Sequence, residues 1–532
     1  MMYACSKQPQ DPFNLFFKRL GSWAMKKMGI VCLAALVFIN WSFSSESPSA
    51  VVSETWDAAF LEGNQIGFFH TTTREVERNG KKILRTTLEM DLTIKRYNGV
   101  ARLRMENGTE ETENGKVLVV FMTQYLDAGK KLVLKGIVED DQLHVTVDGD
   151  RIDKKIPWND EVIGLHKQES LFNKSNVKPG EKITYLSYEP TLNTVVTVRA
   201  LVKEKEQVEC QGKMRTLIRV ETKPDKVIVS KGEPIQLPGM IAWLDKEYRP
   251  VRQEMTMPGM GTVVLYRTDK ATARAPVATL DKQIDLGFST LVSLNRAINN
   301  PYETSKAIFR ITLKDDANPR TAFAKDDRQE IKNIKGNAFE LHVKAIKKPV
   351  DGKKDQAIDK EFLTPCYFLD SDKGRIQSLA KRAIGEETDD WEKAKRIENW
   401  VYKNVENDNS IAFCPASQVA TKLRGDCRQH SMLAAAMCRA ASVPARTAVG
   451  LIYVDDRKKG PVMGFHMWDE VWVKGQWVSL DPTFGPNSVG ATHLKIADHS
   501  WSETQSLTPL LPVARVLGKL TIEVISVEGV RK

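Results

Sequence analysis

The sequence predicts a multidomain chain in which antiparallel β-rich regions precede an α+β domain. Three observations carry that expectation. Apolar residues alternate with period two through much of residues 53–268, and from about residue 371 the period changes to 3.6. A chain of 532 residues also exceeds what one ordinary core encloses, so about three domains are expected.

The first segment, 1–50, has the layout of an export address. Arg19, Lys26 and Lys27 precede an apolar run from Met28 to about Phe43, and small residues follow, ending at Ser49-Ala50. Met25-Lys26-Lys27 is the more usual start for such a signal. Asn40 and Ser42 interrupt the run, which falls short of the ~20 residues of a comfortable membrane span. A cleaved signal peptide is therefore expected rather than an N-terminal anchor, and the mature protein is expected outside the cytoplasm, periplasmic or extracellular. No later stretch reads as a membrane span. Of the seven cysteines, cleavage would remove Cys5 and Cys32 and leave five, an odd number, so at least one thiol stays unpaired unless chains pair.

Within 53–268, Leu84, Thr86, Leu88, Met90, Leu92 and Ile94 alternate with polar neighbours. Leu143, Val145 and Val147 alternate up to a hairpin-type Asp148-Gly149-Asp150, and Val196, Val198, Ala200 and Val202 repeat the pattern. An antiparallel meander, sandwich or open barrel follows, and with no cluster of His, Cys and carboxylates it reads as a scaffold or binding module. Thr268 to Ala278 reads as a linker. A smaller β-rich segment, 279–346, contains Ile308, Ile311 and Leu313 in one strand and Phe339, Leu341 and Val343 in another. The charged stretch Lys347 to Lys360, with Pro349 and Gly352, marks the next boundary.

The α+β domain spans 365–500, ahead of a strand-containing extension, 501–532. Ile376, Leu379, Ala380, Ala383 and Ile384 line a helix that begins near Ser371 and stops at Gly385. Thr388, Asp389 and Asp390 supply an N-cap and an acidic first turn for a helix lined by Trp391, Ala394, Ile397, Val401 and Val405. A third helix runs from Arg428 to Ala441 and ends before Val443-Pro444. Strands are expected at Thr447 to Val454, Met467 to Val473 and Trp477 to Leu480.

Charge narrows the function classes little. The net charge is +10, but the excess is spread, with no basic stripe interleaved with aromatics, so nucleic acid is not an expected partner. A basic surface suits anionic cell-envelope polymers or lipid headgroups, although a solvated face is the simpler reading.

The chemistry lies in Cys427, His466 and Asp481. A thiol attacks as thiolate, and Gly425-Asp426-Cys427 opens a helix whose N-terminus favours negative charge. Cys427, Ser431, Ala434 and Cys438 form a small-sided stripe that lets this helix press close to a sheet. If Lys474-Gly475 is a two-residue hairpin loop, Val473 opposes Gln476 and His466 opposes Thr483. Asp481 is then a diagonal cross-strand neighbour of His466, able to hold one ring nitrogen while the other takes the thiol proton. A three-residue loop would separate the two onto opposite faces.

Each residue also has a bland reading. Cys438 is a small core residue, His430 a structural group, and Asp-Pro after a strand a turn. A zinc site from Cys414, Cys427, Cys438 and His430 lacks a CxxC-type pair, and His493 is a rival base in a less defined segment.

These residues carry a resemblance. Arg424-Gly425-Asp426-Cys427, Val443-Pro444-Ala445-Arg446, His466-Met467-Trp468-Asp469-Glu470-Val471, Leu480-Asp481-Pro482-Thr483 and Ala491-Thr492-His493-Leu494 together resemble the transglutaminase-like superfamily of papain-like thiol enzymes. The resemblance covers about 370–500; the remainder is similar to exported bacterial proteins that place a β-rich region ahead of such a domain. It implies a papain-like fold and acyl transfer from a protein or peptide carboxamide, with Cys427 as nucleophile, His466 as base and then acid, and Asp481 as orienter. It implies no cofactor and no metal. The backbone N–H of Cys427 would serve the oxyanion, with Trp400 and Gln418 as candidates for the second donor. Trp468 is expected to pack beside His466. The rival expectation, from another class, is a non-catalytic cell-envelope binding or scaffolding protein that keeps only the fold.

Overall fold

A computed structural model describes residues 50–532 apart from positions 79, 98, 127–130, 149, 173–176, 229–233, 258–260, 278–282, 284, 315, 317, 351–356, 412, 457, 503–507 and 530–532. The expected signal segment, 1–50, lies outside the described residues except for Ala50. Among the described residues no helix is long and apolar enough to cross a membrane.

The period-two region forms one antiparallel sheet of fourteen strands. Eight strands meander from Val51 to Pro157 and six more from Lys182 to Thr268. The last strand, Gly261–Thr268, pairs with the first, Val51–Leu61, and so joins the two meanders in the middle of the sheet. The residues after the eighth strand turn back across it: Ile163 bridges Lys116 while Val162 bridges Leu186 of the ninth strand. The sheet is thereby curled round an apolar interior in which Leu143, Val145 and Val147 are buried, with Leu186 and Tyr188 packed on the same cluster. Val196, Ala200 and Val202 are also buried, as their alternation predicts, while Val198 is half-buried. The strand Lys81–Arg96 forms, but of the alternating set it buries only Thr86, Leu92 and Ile94; Leu84, Leu88 and Met90 are half-buried, while Ile83 and Asp91, on the opposite parity, are buried, Asp91 beside Arg102.

The stretch after Thr268 is more ordered than a linker. Asp269 caps a short helix, Lys270–Ala273, and Ala273 is buried against the sheet.

Residues far apart in sequence then share a second, four-stranded sheet. Thr304–Leu313 lies between Ala338–Lys344 and the C-terminal strand Leu520–Gly529, which forms one edge, and Gln329–Lys335 forms the other. Phe309, Ile311, Phe339, Leu341 and Ile522 build its core.

The third sheet is five-stranded and antiparallel. Ala445–Asp456 lies between Gly460–Val473 and His493–His499, and Gln476–Leu480 and Val292–Ser293 both pair with Gly460–Val473. The helix Cys427–Ala440 packs on this sheet and on three other helices, Gly374–Ile384, Asp390–Asn404 and Ala416–Lys422. It is buried from Gln429 to Arg439, and Ser431, Ala434 and Cys438 give the close-packed stripe expected of small side chains. The first of the three helices begins at Gly374, three residues beyond Ser371, because Ser371 to Lys373 form a turn at Asp370, whose carboxylate accepts from the backbone of Ser417. The second is capped by Asp389, as predicted.

Candidate active site

Cys427 is the first residue of its helix. Asp426 caps it by accepting from the Arg428 backbone N–H at 2.9 Å, and the Gln429 side chain accepts from the Asp426 N–H at 3.1 Å, a complete capping box. Gly425 is required by packing: a Cβ there would sit 2.2 Å from Cβ of Gln429. The Asp426 carboxylate is held well below the ordinary range; burial opposes its charge, and the Arg428 and Arg96 guanidinium groups outweigh burial.

His466 lies in Gly460–Val473, and Ser431 ties that strand to the cysteine helix by donating to the Met467 carbonyl at 3.0 Å. The hairpin has the predicted register, with Val473 opposite Gln476 and Asp469 opposite Leu480. Lys474 and Gly475 both take positive φ, 50° and 71°, the backbone of a tight two-residue turn. Pairing ends at Leu480, and the next residue, Asp481, reaches back diagonally. Its Oδ2 lies 2.8 Å from His466 Nε2, and the Cys427 sulfur is close enough to the imidazole for the two to interact electrostatically. Burial opposes a charge on His466, but the Asp481 carboxylate and the Cys427 sulfur prevail and raise it to about 10.

Asp481 is fully buried and well served. Oδ1 accepts from the backbone N–H of Thr483 at 2.9 Å, and Oδ2 also accepts from His493 Nε2 at 3.1 Å. Burial disfavours its charge, yet His466 and these hydrogen bonds hold it far below the usual carboxylate range. Burial takes His493 down to about 4, so it is a neutral donor to Asp481. His493 therefore packs behind the carboxylate. Trp468 stands beside His466 with ring centroids 6.3 Å apart, as expected, and Phe484 covers another side at 5.3 Å.

His466, Asp481 and His493 place one ligand atom each within 4.8 Å of one another. Both nitrogens lie within hydrogen-bond distance of the same oxygen, Oδ2 of Asp481, at 2.8 and 3.1 Å. In the cysteine-based alternative, both ring nitrogens of His430 face backbone carbonyls, those of Asp426 and Val405, and Cys438 is a buried core thiol pushed well up by burial. None of the five described cysteines is in a disulfide. Of the two oxyanion candidates, Trp400 is half-buried against the helical core, whereas Gln418 is buried with its side-chain nitrogen lacking a hydrogen-bond partner.

Two acids at the site escape a sequence reading. Asp469, in the same strand as His466, is buried with neither side-chain oxygen hydrogen-bonded, and burial, together with Asp481 and Glu398, raises it well above the usual carboxylate range. Glu398 projects from the helix Asp390–Asn404 and accepts from the Asp481 N–H at 2.7 Å. It falls next to Ile397 on the apolar face, the one signal that marked it. Burial, with Asp481 nearby, raises Glu398 to about 8. An acid raised on folding stabilises fully below its unfolded value near 4.5 and loses that contribution as pH rises through about 8. Glu398→Gln keeps the accepting oxygen and removes the titration. Thermal unfolding between pH 5 and 9, roughly that window, should show the variant gaining on wild type as pH rises; parallel curves would contradict the assignment.

Comparison with known proteins agrees with the motif order. Residues 377–482 match the transglutaminase-like superfamily. An uncharacterized protein of Haemophilus influenzae is 31% identical over 96 residues, 17% of this chain and 26% of its own, so the chain spans about a quarter of that relative. Among solved structures, the β-barrel-like protein of the DUF1849 domain from Brucella abortus aligns with TM-score 0.29 at 11% identity, covering 41% of this chain and 95% of its own. The periplasmic domain of TgpA from Pseudomonas aeruginosa aligns with TM-score 0.20 at 13% identity, covering 35% and 92%. At these scores neither likeness bears on function. With large antiparallel sheets ahead of it, the C-terminal part of this chain carries a transglutaminase-like domain.

Proposed function

We propose that the protein is an exported thiol acyltransferase or amide hydrolase acting on protein or peptide carboxamides of the cell envelope, with a papain-like domain and Cys427, His466 and Asp481 as its triad. The observation that carries this is the Asp481 carboxylate held 2.8 Å from His466 Nε2, on an imidazole near enough to the Cys427 sulfur for the two groups to interact. Asp481 takes Nε2 and so leaves Nδ1 to receive the thiol proton. The Cys427 sulfur adds to the carboxamide carbon, and the oxyanion is held by the Cys427 N–H and a second donor, for which the unpaired Gln418 amide is the candidate. The C–N bond breaks as His466 returns its proton to the leaving amine, giving a thioester. An incoming amine or water, deprotonated by His466, then attacks the thioester carbonyl and releases the thiol.

The second reading, a binding or scaffolding protein, is disfavoured by this arrangement, since a scaffold does not require an imidazole on the thiol. The test is mass spectrometry of residues 51–532 incubated with a glutamine-rich protein and a primary-amine probe, with Cys427→Ala alongside. Cysteine-dependent probe incorporation identifies a transamidase, and cysteine-dependent deamidation or cleavage a hydrolase. Identical products from both proteins, across a panel of envelope proteins, would favour the scaffold.

A further inference from the structure

The end of one N-terminal hairpin reaches the thiol site. Arg96 closes the strand Lys81–Arg96 and pairs with Gly99 at the start of Gly99–Thr112. Its Nη1 makes an ion pair with Oδ2 of Asp426, the capping residue next to Cys427, across 330 positions of sequence. The hairpin end is seated, not merely nearby. A Cβ at Gly99 would lie 3.1 Å from the backbone N of Ser410. The loop bearing Ser410 is itself tied to the cysteine turn: Asp408 N–H donates to the Gly425 carbonyl at 2.9 Å, and Asn407 pairs with Gly425 in a short parallel bridge. The Tyr97 N–H donates to Asp285 at 2.7 Å, and its ring lies against Gly287, where a Cβ would be 2.7 Å from the ring, and edge-on to Phe288. Tyr97 is close enough to Cys427 for the two groups to interact electrostatically.

We propose that Arg96 is a positioning residue of the thiol site, supplied by the N-terminal sheet, which acts on Cys427 by neutralising and fixing the Asp426 carboxylate beside it. The inference rests on Cys427 being the nucleophile. A carboxylate one residue before a reacting thiolate repels it, and two guanidinium groups, Arg96 and Arg428, flank this carboxylate. The charged and titratable groups near Cys427 include Arg96, Tyr97, Asp426, Arg428 and His466. Without Arg96, Asp426 keeps Arg428 on both oxygens and its cap, so the helix stands, but the surplus positive charge of two guanidinium groups on one carboxylate beside the thiol is lost. The N-terminal region, on this account, is part of the machinery rather than only a tethered binding module.

The test uses the full mature chain and the rate of Cys427 alkylation by iodoacetamide at pH 7, read on the Cys427 peptide. Arg96→Ala should slow alkylation about three- to tenfold. Arg96→Lys, which can supply the same single contact, should restore most of the rate. Arg199→Ala, which removes an exposed ion pair elsewhere in the sheet, should change nothing. Wild-type rates in Arg96→Ala would overturn the proposal. So would equal slowing in Arg96→Ala and Arg96→Lys with a matching fall in unfolding temperature, the signature of a purely structural contact. His466→Ala in the same series separates the two ideas. An effect of Arg96→Ala but none of His466→Ala overturns the triad and leaves Arg96; the reverse overturns Arg96 alone.

Discussion

Replacing His466 with alanine should lower Cys427-dependent turnover about a thousandfold or more, with the protein still folded. The size follows from its two tasks, taking the thiol proton and returning it to the leaving amine, which no other side chain among the described residues is placed to perform. His493 cannot substitute, because its Nε2 is engaged on Asp481 and it lies behind the carboxylate. Asp481→Asn should approach the same loss. An amide facing both His466 and His493 at one oxygen position cannot accept equally from both, and the His466 tautomer is no longer fixed. A loss below tenfold in either variant would remove that residue from the mechanism.

The second large effect concerns stability. Lys495 is fully buried, with Nζ 3.0 Å from both oxygens of Glu470 and 3.1 Å from Asp498, and in ion contact with Asp326. Glu470 also receives Arg446 at 2.7 Å. This network locks the strand that carries His493 through Ala445–Asp456 to the strand that carries His466. Lys495→Met removes the ammonium that serves the buried Glu470 and the half-buried Asp326 and Asp498, so a loss of about 3–5 kcal/mol is expected in denaturant unfolding. The double variant Lys495→Met/Glu470→Gln should recover part of it, since it removes one of the stranded charges. A loss under about 1 kcal/mol in the single variant would mean that Lys495 is not required to balance the network.

What could be read in the sequence was local. The small-sided stripe from Cys427 to Cys438, the cap at Asp389 and the Lys474-Gly475 turn each follow from spacing within one or two turns of chain, and the structure has all three. The hairpin register also put Asp481 within reach of His466, because a two-residue loop leaves one pairing only. Long-range pairings left no such trace. Nothing in Leu520–Gly529 announces that it pairs with Thr304–Leu313, and nothing in Val51–Leu61 announces Gly261–Thr268. Arg96 reads as an ordinary charged residue at a strand end, and its partner Asp426 as a plain helix cap; only the docking of the two regions gives the pair a role. Glu398 and Asp469 were hidden for a different reason. Burial, and the upward shift it imposes on an acid, is a property of surroundings, and a carboxylate symbol within an apolar pattern says nothing of what faces it.

The most direct measurement of the central claim, that His466 activates Cys427, is the rate of Cys427 alkylation between pH 5 and 9 in wild type and His466→Ala. The wild-type rate at pH 6–7 should exceed that of the variant about tenfold or more, with the two converging at high pH, where any thiol ionises. Superimposable profiles would contradict it, and would leave Cys427 as an ordinary thiol at the head of a helix.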